Sequence, residues 1–75
     1  MDYMKFDFSA LRGLIIKTYG RYYLCAEDCG LTKGQLSNRL NNVSPFTPTE
    51  IYTLRDKLGI PEDEVVTYFF TPLVR

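Results

Sequence analysis

No histidine occurs in the 75 residues, and the only two cysteines, Cys25 and Cys29, stand four apart. A four-ligand zinc site therefore lacks half its ligands. Two reduced thiols buried in a helix are the simplest reading, because a free cysteine behaves as a small hydrophobe. No nucleophile paired with a base and no acids at metal-ligand spacing can be found, so an enzyme is not expected, nor is a cofactor or a small-molecule substrate. Long apolar runs are missing too: Leu14-Ile15-Ile16 falls far short of the roughly 20 residues of a membrane helix. Asp2, Lys5 and Asp7 interrupt any leader-like stretch at the start, which makes the expected location cytoplasmic and gives no membrane partner. Asn42-Val43-Ser44 matches the glycosylation acceptor pattern, but that pattern is short and the expected compartment is the wrong one.

A net charge of either sign is also absent, since nine basic residues balance nine acidic ones. The distribution is less even. Residues 1–46 hold six basic side chains (Lys5, Arg12, Lys17, Arg21, Lys33, Arg39) against four acidic ones, residues 47–75 hold three against five, and no acid lies between Gly30 and Pro45. A chain of this length supports one domain, here taken as residues 1–75.

What is present is a succession of helix signals. Asp7 or Ser9 can cap a first helix with Leu11, Leu14, Ile15 and Tyr19 on one stripe and Gly20 at its end. A second runs from about Tyr22 to Cys29, with Leu24, Cys25 and Cys29 inward and Gly30 as its stop. Thr32 and Gln35 form a capping box, and Leu31 with Leu36 a hydrophobic staple, so a third helix begins at Lys33 and ends near Leu40 or Asn41. After a polar, proline-bearing loop, Thr47, Pro48 and Glu50 open a fourth helix that buries Ile51, Leu54 and Leu58 and stops at Gly59. A fifth begins at Ile60-Pro61-Glu62, carries Val65, Val66, Phe69 and Phe70, and ends at Thr71-Pro72. No segment alternates with period two, so the predicted fold is all-α, a compact bundle of about five short helices.

Tyr22 to Leu40 has the pattern of a helix-turn-helix: small Ala26 where two helices approach, Gly30 in the turn, and Leu31, Leu36 and Leu40 holding the second helix. With Leu36 and Leu40 inward, Gly34, Asn38 and Asn42 point away, and this outward face is polar and free of acid. Such a face suits the major groove of DNA.

The chain resembles the Cro-like phage repressors of the lambda-type helix-turn-helix superfamily, in particular the short form from phages of low-GC Gram-positive bacteria. The resemblance rests on Phe8-Ser9-Ala10-Leu11-Arg12-Gly13, Gly30-Leu31-Thr32, Leu36-Ser37-Asn38-Arg39-Leu40-Asn41-Asn42, Leu58-Gly59-Ile60-Pro61 and Tyr68-Phe69-Phe70-Thr71-Pro72, in that order. It implies a transcriptional repressor that occupies a double-stranded operator. It also implies base readout from Lys33, Gly34 and Asn38, with backbone or flanking contacts from Tyr22, Gln35, Ser37, Asn41 and Asn42. Arg21 and Arg39 add positive charge for the phosphates. Gly34 departs from the pattern by having no side chain, and Arg39 stands where many relatives bury an apolar residue, which leaves it available to phosphate.

Several of these residues have a structural alternative. Gln35 can serve only its capping box, Lys33 and Arg39 can be surface charges, and Asn41 and Asn42 can be helix-end residues. Tyr68, Phe69 and Phe70 cannot all face inward from one helix. Tyr68, Phe70, Leu73 and Val74 are therefore the candidate surface for a homodimer on DNA. The competing reading is a protein-interaction module that binds a second phage repressor through this aromatic end.

Overall fold

A computed structural model describes residues 5–73. It is a small all-helical fold with five α-helices and no strand among the described residues: α1 Ser9–Tyr19, α2 Tyr22–Asp28, α3 Lys33–Leu40, α4 Pro48–Leu58 and α5 Val65–Phe69. No helix among them is long and apolar enough to cross a membrane.

Local chemistry sets most of the boundaries. Asp7 accepts the backbone N–H of Ser9 at 2.9 Å and its hydroxyl at 2.6 Å, which satisfies one of the unpaired donors at the start of α1. The capping boxes expected at α3 and α4 both form, with Thr32 Oγ1 accepting from Gln35 N at 3.0 Å and Thr47 Oγ1 from Glu50 N at 3.2 Å. Three helices end by one device. In α2 the Leu31 N–H reaches back to Ala26 O at 2.8 Å, in α3 Val43 to Asn38 O at 2.9 Å, and in α4 Ile60 to Arg55 O at 3.0 Å. Each return needs a left-handed residue just before the donor. Glycine supplies it at Gly30 and Gly59, whereas at the end of α3 the residue is Asn42, with φ 60°.

The core is drawn from every layer: Phe8, Leu11 and Ile15 from the start of the chain and α1, Cys25 and Ala26 from α2, Leu36 and Leu40 from α3, Leu54 and Leu58 from α4, then Ile60 and Phe69. Phe46, in the loop before α4, sets its ring edge-on to Phe8 at 5.2 Å and to Phe69 at 5.5 Å. Each such pair is worth about 0.5–1.5 kcal/mol beyond the area it buries. The loop read from sequence as merely polar thus supplies a ring that joins Phe8, the residue just before α1, to α5.

Two expectations about elements are corrected. Leu24 does not face inward: it is 39% exposed, and Cys25 and Ala26 take the buried side of α2. With Cys29 half-buried beyond the helix end, the inward stripe is one residue out of phase with the expected one. The fifth helix is interrupted, because Glu62–Glu64 forms a tight 3-10 turn closed by Glu64 N–H on Pro61 O at 2.9 Å, and only Val65–Phe69 is α-helical. Glu64 sits at φ −107°, ψ 0°, which takes the chain out of α register between the two turns.

After α5 the chain pairs with its own beginning. Asp7 N–H donates to Thr71 O at 2.8 Å, Leu73 N–H to Lys5 O at 3.2 Å, and Phe6 faces Pro72 in a single antiparallel bridge. Asn42 fastens the same segment from inside, its side-chain oxygen accepting Phe6 N–H at 3.0 Å and its amide donating to Phe6 O at 2.9 Å.

Candidate functional site

Of the helices, α3 carries most of the residues to which the sequence assigns a contact. At about 100° per residue, Leu36 and Leu40 define its inward side, Lys33, Ser37 and Asn41 one flank, Gln35 and Arg39 the other, and Gly34 and Asn38 the outward line. Leu36 and Leu40 are buried, and Lys33, Gly34, Gln35, Ser37 and Asn38 are all exposed.

Each flank is held to a different neighbour by a guanidinium group. On the first, Arg12 of α1 donates from Nη2 to Leu40 O at 3.1 Å and to Asn41 Oδ1 at 2.6 Å, and its head lies 5.9 Å from the centre of the Tyr22 ring. Asn41 in turn donates to Ser37 Oγ at 3.2 Å. Arg12 thus satisfies carbonyl and amide oxygens at the end of α3, where a cation is favoured. On the second, Arg39 donates from Nε to Glu50 Oε1 at 2.8 Å, from Nη2 to Glu50 Oε2 at 3.1 Å and from Nη1 to Ser44 Oγ at 2.5 Å. Both side chains of this pair are mostly shielded, at 17% and 14% exposure. The Arg39 hydrogen bonds hold the Glu50 carboxyl below its ordinary range, against the opposing effect of partial burial.

Several assigned roles change accordingly. Arg39, expected to face phosphate, turns instead to Glu50 and Ser44, with its side chain only 17% exposed. Asn42 is not part of the outward face, since its left-handed backbone ends α3 and its side chain fastens Phe6. Gln35 completes its capping box, its Oε1 accepting Thr32 N–H at 2.8 Å. Asn41 is tied to Arg12 and Ser37. Arg21 is exposed just ahead of α2, and Tyr22 is half-buried beneath Arg12. The sequence reading passed over Arg12, because a lone arginine beside Leu11 in α1 has no pattern that points to a helix end 28 residues away.

Gly34 is not required by packing. A methyl group added there would meet nothing nearer than Thr32 Oγ1 at 4.0 Å, and its backbone is ordinary helix.

At the other end of the chain, Phe69 is buried, Tyr68 half-buried against the core, and Phe70 41% exposed with its ring edge-on to Phe6 at 5.6 Å. Val66, one turn before Phe70, is 66% exposed and was not among the expected surface residues. Leu73 is half-buried, and Val74 lies outside the described residues.

The thiols sit away from α3's outward line. Cys25 is buried and its pKa is pushed up to about 12 by burial, with the neighbouring Cys29 adding to it. Burial raises Cys29 as well.

A family described as protein of unknown function (DUF739) matches residues 4–72, nearly the whole chain. No curated protein matches it.

Proposed function

The chain belongs to the DUF739 family, and we propose that it is a sequence-specific DNA-binding regulator, a Cro-like repressor of the helix-turn-helix kind in which α2 and α3 form the motif. The observation that carries this reading is the outward line of α3. Gly34 and Asn38 are exposed, no acid flanks them on the helix, and guanidinium contacts on both sides fix the helix to α1 and α4. A short, rigid, acid-free helix face is what a major groove accepts. Under this reading Asn38 and Lys33 hydrogen-bond to base edges, Gly34 allows close backbone approach, and Arg21 brings charge to the phosphates. A buried thiol whose pKa is raised to about 12 suits a packing role and not a nucleophile's.

One recognition helix spans only a few base pairs, so two copies would occupy half-sites about 34 Å apart. The second copy would meet the first through Val66 and Phe70, the most exposed apolar side chains among the described residues after Gly59, with Tyr68 and Leu73 at the edge. Footprinting with the purified protein at low salt on DNA beside its own gene tests both points. A protected site with two-fold symmetry is expected; a single asymmetric half-site would remove the dimer.

A second reading is favoured by that same apolar pair. With Val66 at 66% and Phe70 at 41% exposure, the chain could instead bind a second repressor protein through this face. Binding of duplex DNA with no other protein present separates the two.

A further inference from the structure

Where α1, α2 and α3 meet, Arg12, Tyr22, Lys33 and Ser37 surround a groove of about 120 Å³ floored by Leu40. Its lining contains two cations, two hydroxyl groups and no carboxylate. Arg12 is already oriented there. Its Nη2 is committed to Leu40 O and Asn41 Oδ1, and its central carbon lies over the Tyr22 ring, 5.9 Å from the centroid, which leaves the three N–H groups on Nε and Nη1 without a partner among the described residues. Ser37 Oγ accepts from Asn41 and keeps its own proton to donate. Lys33 and Ser37 lie on the same flank of α3, one turn apart, so Lys33 starts from the groove side and not from the outward line of Gly34 and Asn38, although it also borders a neighbouring depression with Tyr23, Glu27, Leu31 and Thr32.

We propose that this groove seats one backbone phosphate of duplex DNA, with Arg12 and Lys33 supplying the charge and Ser37 and Tyr22 the hydroxyl donors. The inference rests on the DNA-binding reading and refines it: Lys33 reads no base, and Arg12, an α1 residue outside the two-helix motif, belongs to the interface. A guanidinium held in place by its own helix-end contacts loses little freedom on meeting the anion, and its remaining donors match phosphate geometry. The seat also sets register, because a phosphate fixed beside Ser37 leaves Asn38, one residue on, facing the groove of the duplex.

The test is fluorescence anisotropy of the full chain against two labelled duplexes of unrelated sequence, each about 30 base pairs, over roughly 50–200 mM salt. The variants are Lys33→Gln, Arg12→Gln and the two together, with Lys17→Gln as the control; Lys17 is an exposed α1 residue outside the groove. The seat predicts that Lys33→Gln weakens both duplexes by the same factor and that the double change lowers the salt slope by about one, while Lys17→Gln leaves the parent's slope. Should Arg12→Gln unfold the chain, Lys33→Gln decides alone, since Lys33 is exposed and its removal leaves the core untouched. Parent protein that binds DNA while Lys33→Gln binds as well, or loses affinity for one duplex only, overturns the seat and keeps the DNA-binding reading. Parent protein that binds neither duplex overturns both.

Discussion

Arg39 grips both carboxylate oxygens of Glu50, at 2.8 and 3.1 Å, while Glu50 also closes the capping box of α4 by accepting Thr47 N–H at 3.0 Å. One carboxylate therefore starts α4 and anchors the last turn of α3. Arg39→Ala should lower stability by about 1–3 kcal/mol, since it leaves a shielded carboxylate with part of its hydrogen bonding lost. The salt slope of DNA binding should stay at the parent's value. Urea melts and salt titrations on the purified variant check both; a slope lowered by about one would return Arg39 to the phosphates.

The same pair makes stability depend on pH. Glu50 titrates below its ordinary value of 4.5 in the folded chain, chiefly through the Arg39 hydrogen bonds. Its contribution is thus complete above that ordinary value and disappears as pH falls through the lowered one. Melting temperature should drop as pH falls below the ordinary value of 4.5, and the drop should be shallower in Glu50→Gln, which starts from a lower plateau. Thermal scans at closely spaced pH values read the difference.

Replacing Asn38 by alanine should leave the melt within about 0.5 kcal/mol of the parent and cost about 1–3 kcal/mol of discrimination at particular base pairs. Gly34→Ala should stabilise the chain by about 0.5–1 kcal/mol, because nothing opposes the methyl group, and should weaken DNA binding if the backbone approaches the bases there. Leu36→Ala, at a site 1% exposed, should lose roughly 2–5 kcal/mol. An Asn38→Ala protein that melts much lower yet binds every operator variant like the parent would remove the recognition role from α3.

Asn42 combines a left-handed backbone with two hydrogen bonds to Phe6. Asn42→Gly loses the bonds and keeps the backbone, whereas Asn42→Ala loses both and should be less stable than the glycine variant by about 1 kcal/mol. Equal melts for the two would mean that the left-handed conformation carries no cost.

Cys25 is fully buried with its pKa pushed up to about 12, and Cys29 is half-buried with its pKa also raised. At about pH 8 the native protein should take up at most one alkyl group, at Cys29, and two once unfolded in urea. Peptide mapping after alkylation locates the adduct; rapid labelling of Cys25 in the native state would show that α2 opens.

The helix starts and stops were legible because each is a local matter. Thr32 with Gln35 and Thr47 with Glu50 announce their capping boxes within four residues, and Gly30 and Gly59 mark their own exits. The candidate site was legible only along its outward line, where the two-leucine phase of Leu36 and Leu40 sets the direction of Gly34 and Asn38. Arg12, Arg39 and Asn42 were misjudged or missed because their partners lie 28, 11 and 36 residues away. No period or propensity encodes such distant pairing, and an arginine that holds a helix end is written with the same letter as one that faces solvent. Leu24 was misplaced for another reason: α2 is only seven residues long, and two turns give too few apolar positions to set its phase.

The bridge between Lys5–Asp7 and Thr71–Leu73 gives the fold a mechanical weak point. Because the two segments run antiparallel, with Leu73 N–H bonded to Lys5 O and Asp7 N–H to Thr71 O, both ends of the described chain emerge side by side. Tension applied between them loads the outer bond first and the inner one only after it has opened, so the pair peels one bond at a time where a sheared pair would share the load. Asn42 holds Phe6 just inside that seam, and a pulled chain would next strain the residue that ends α3.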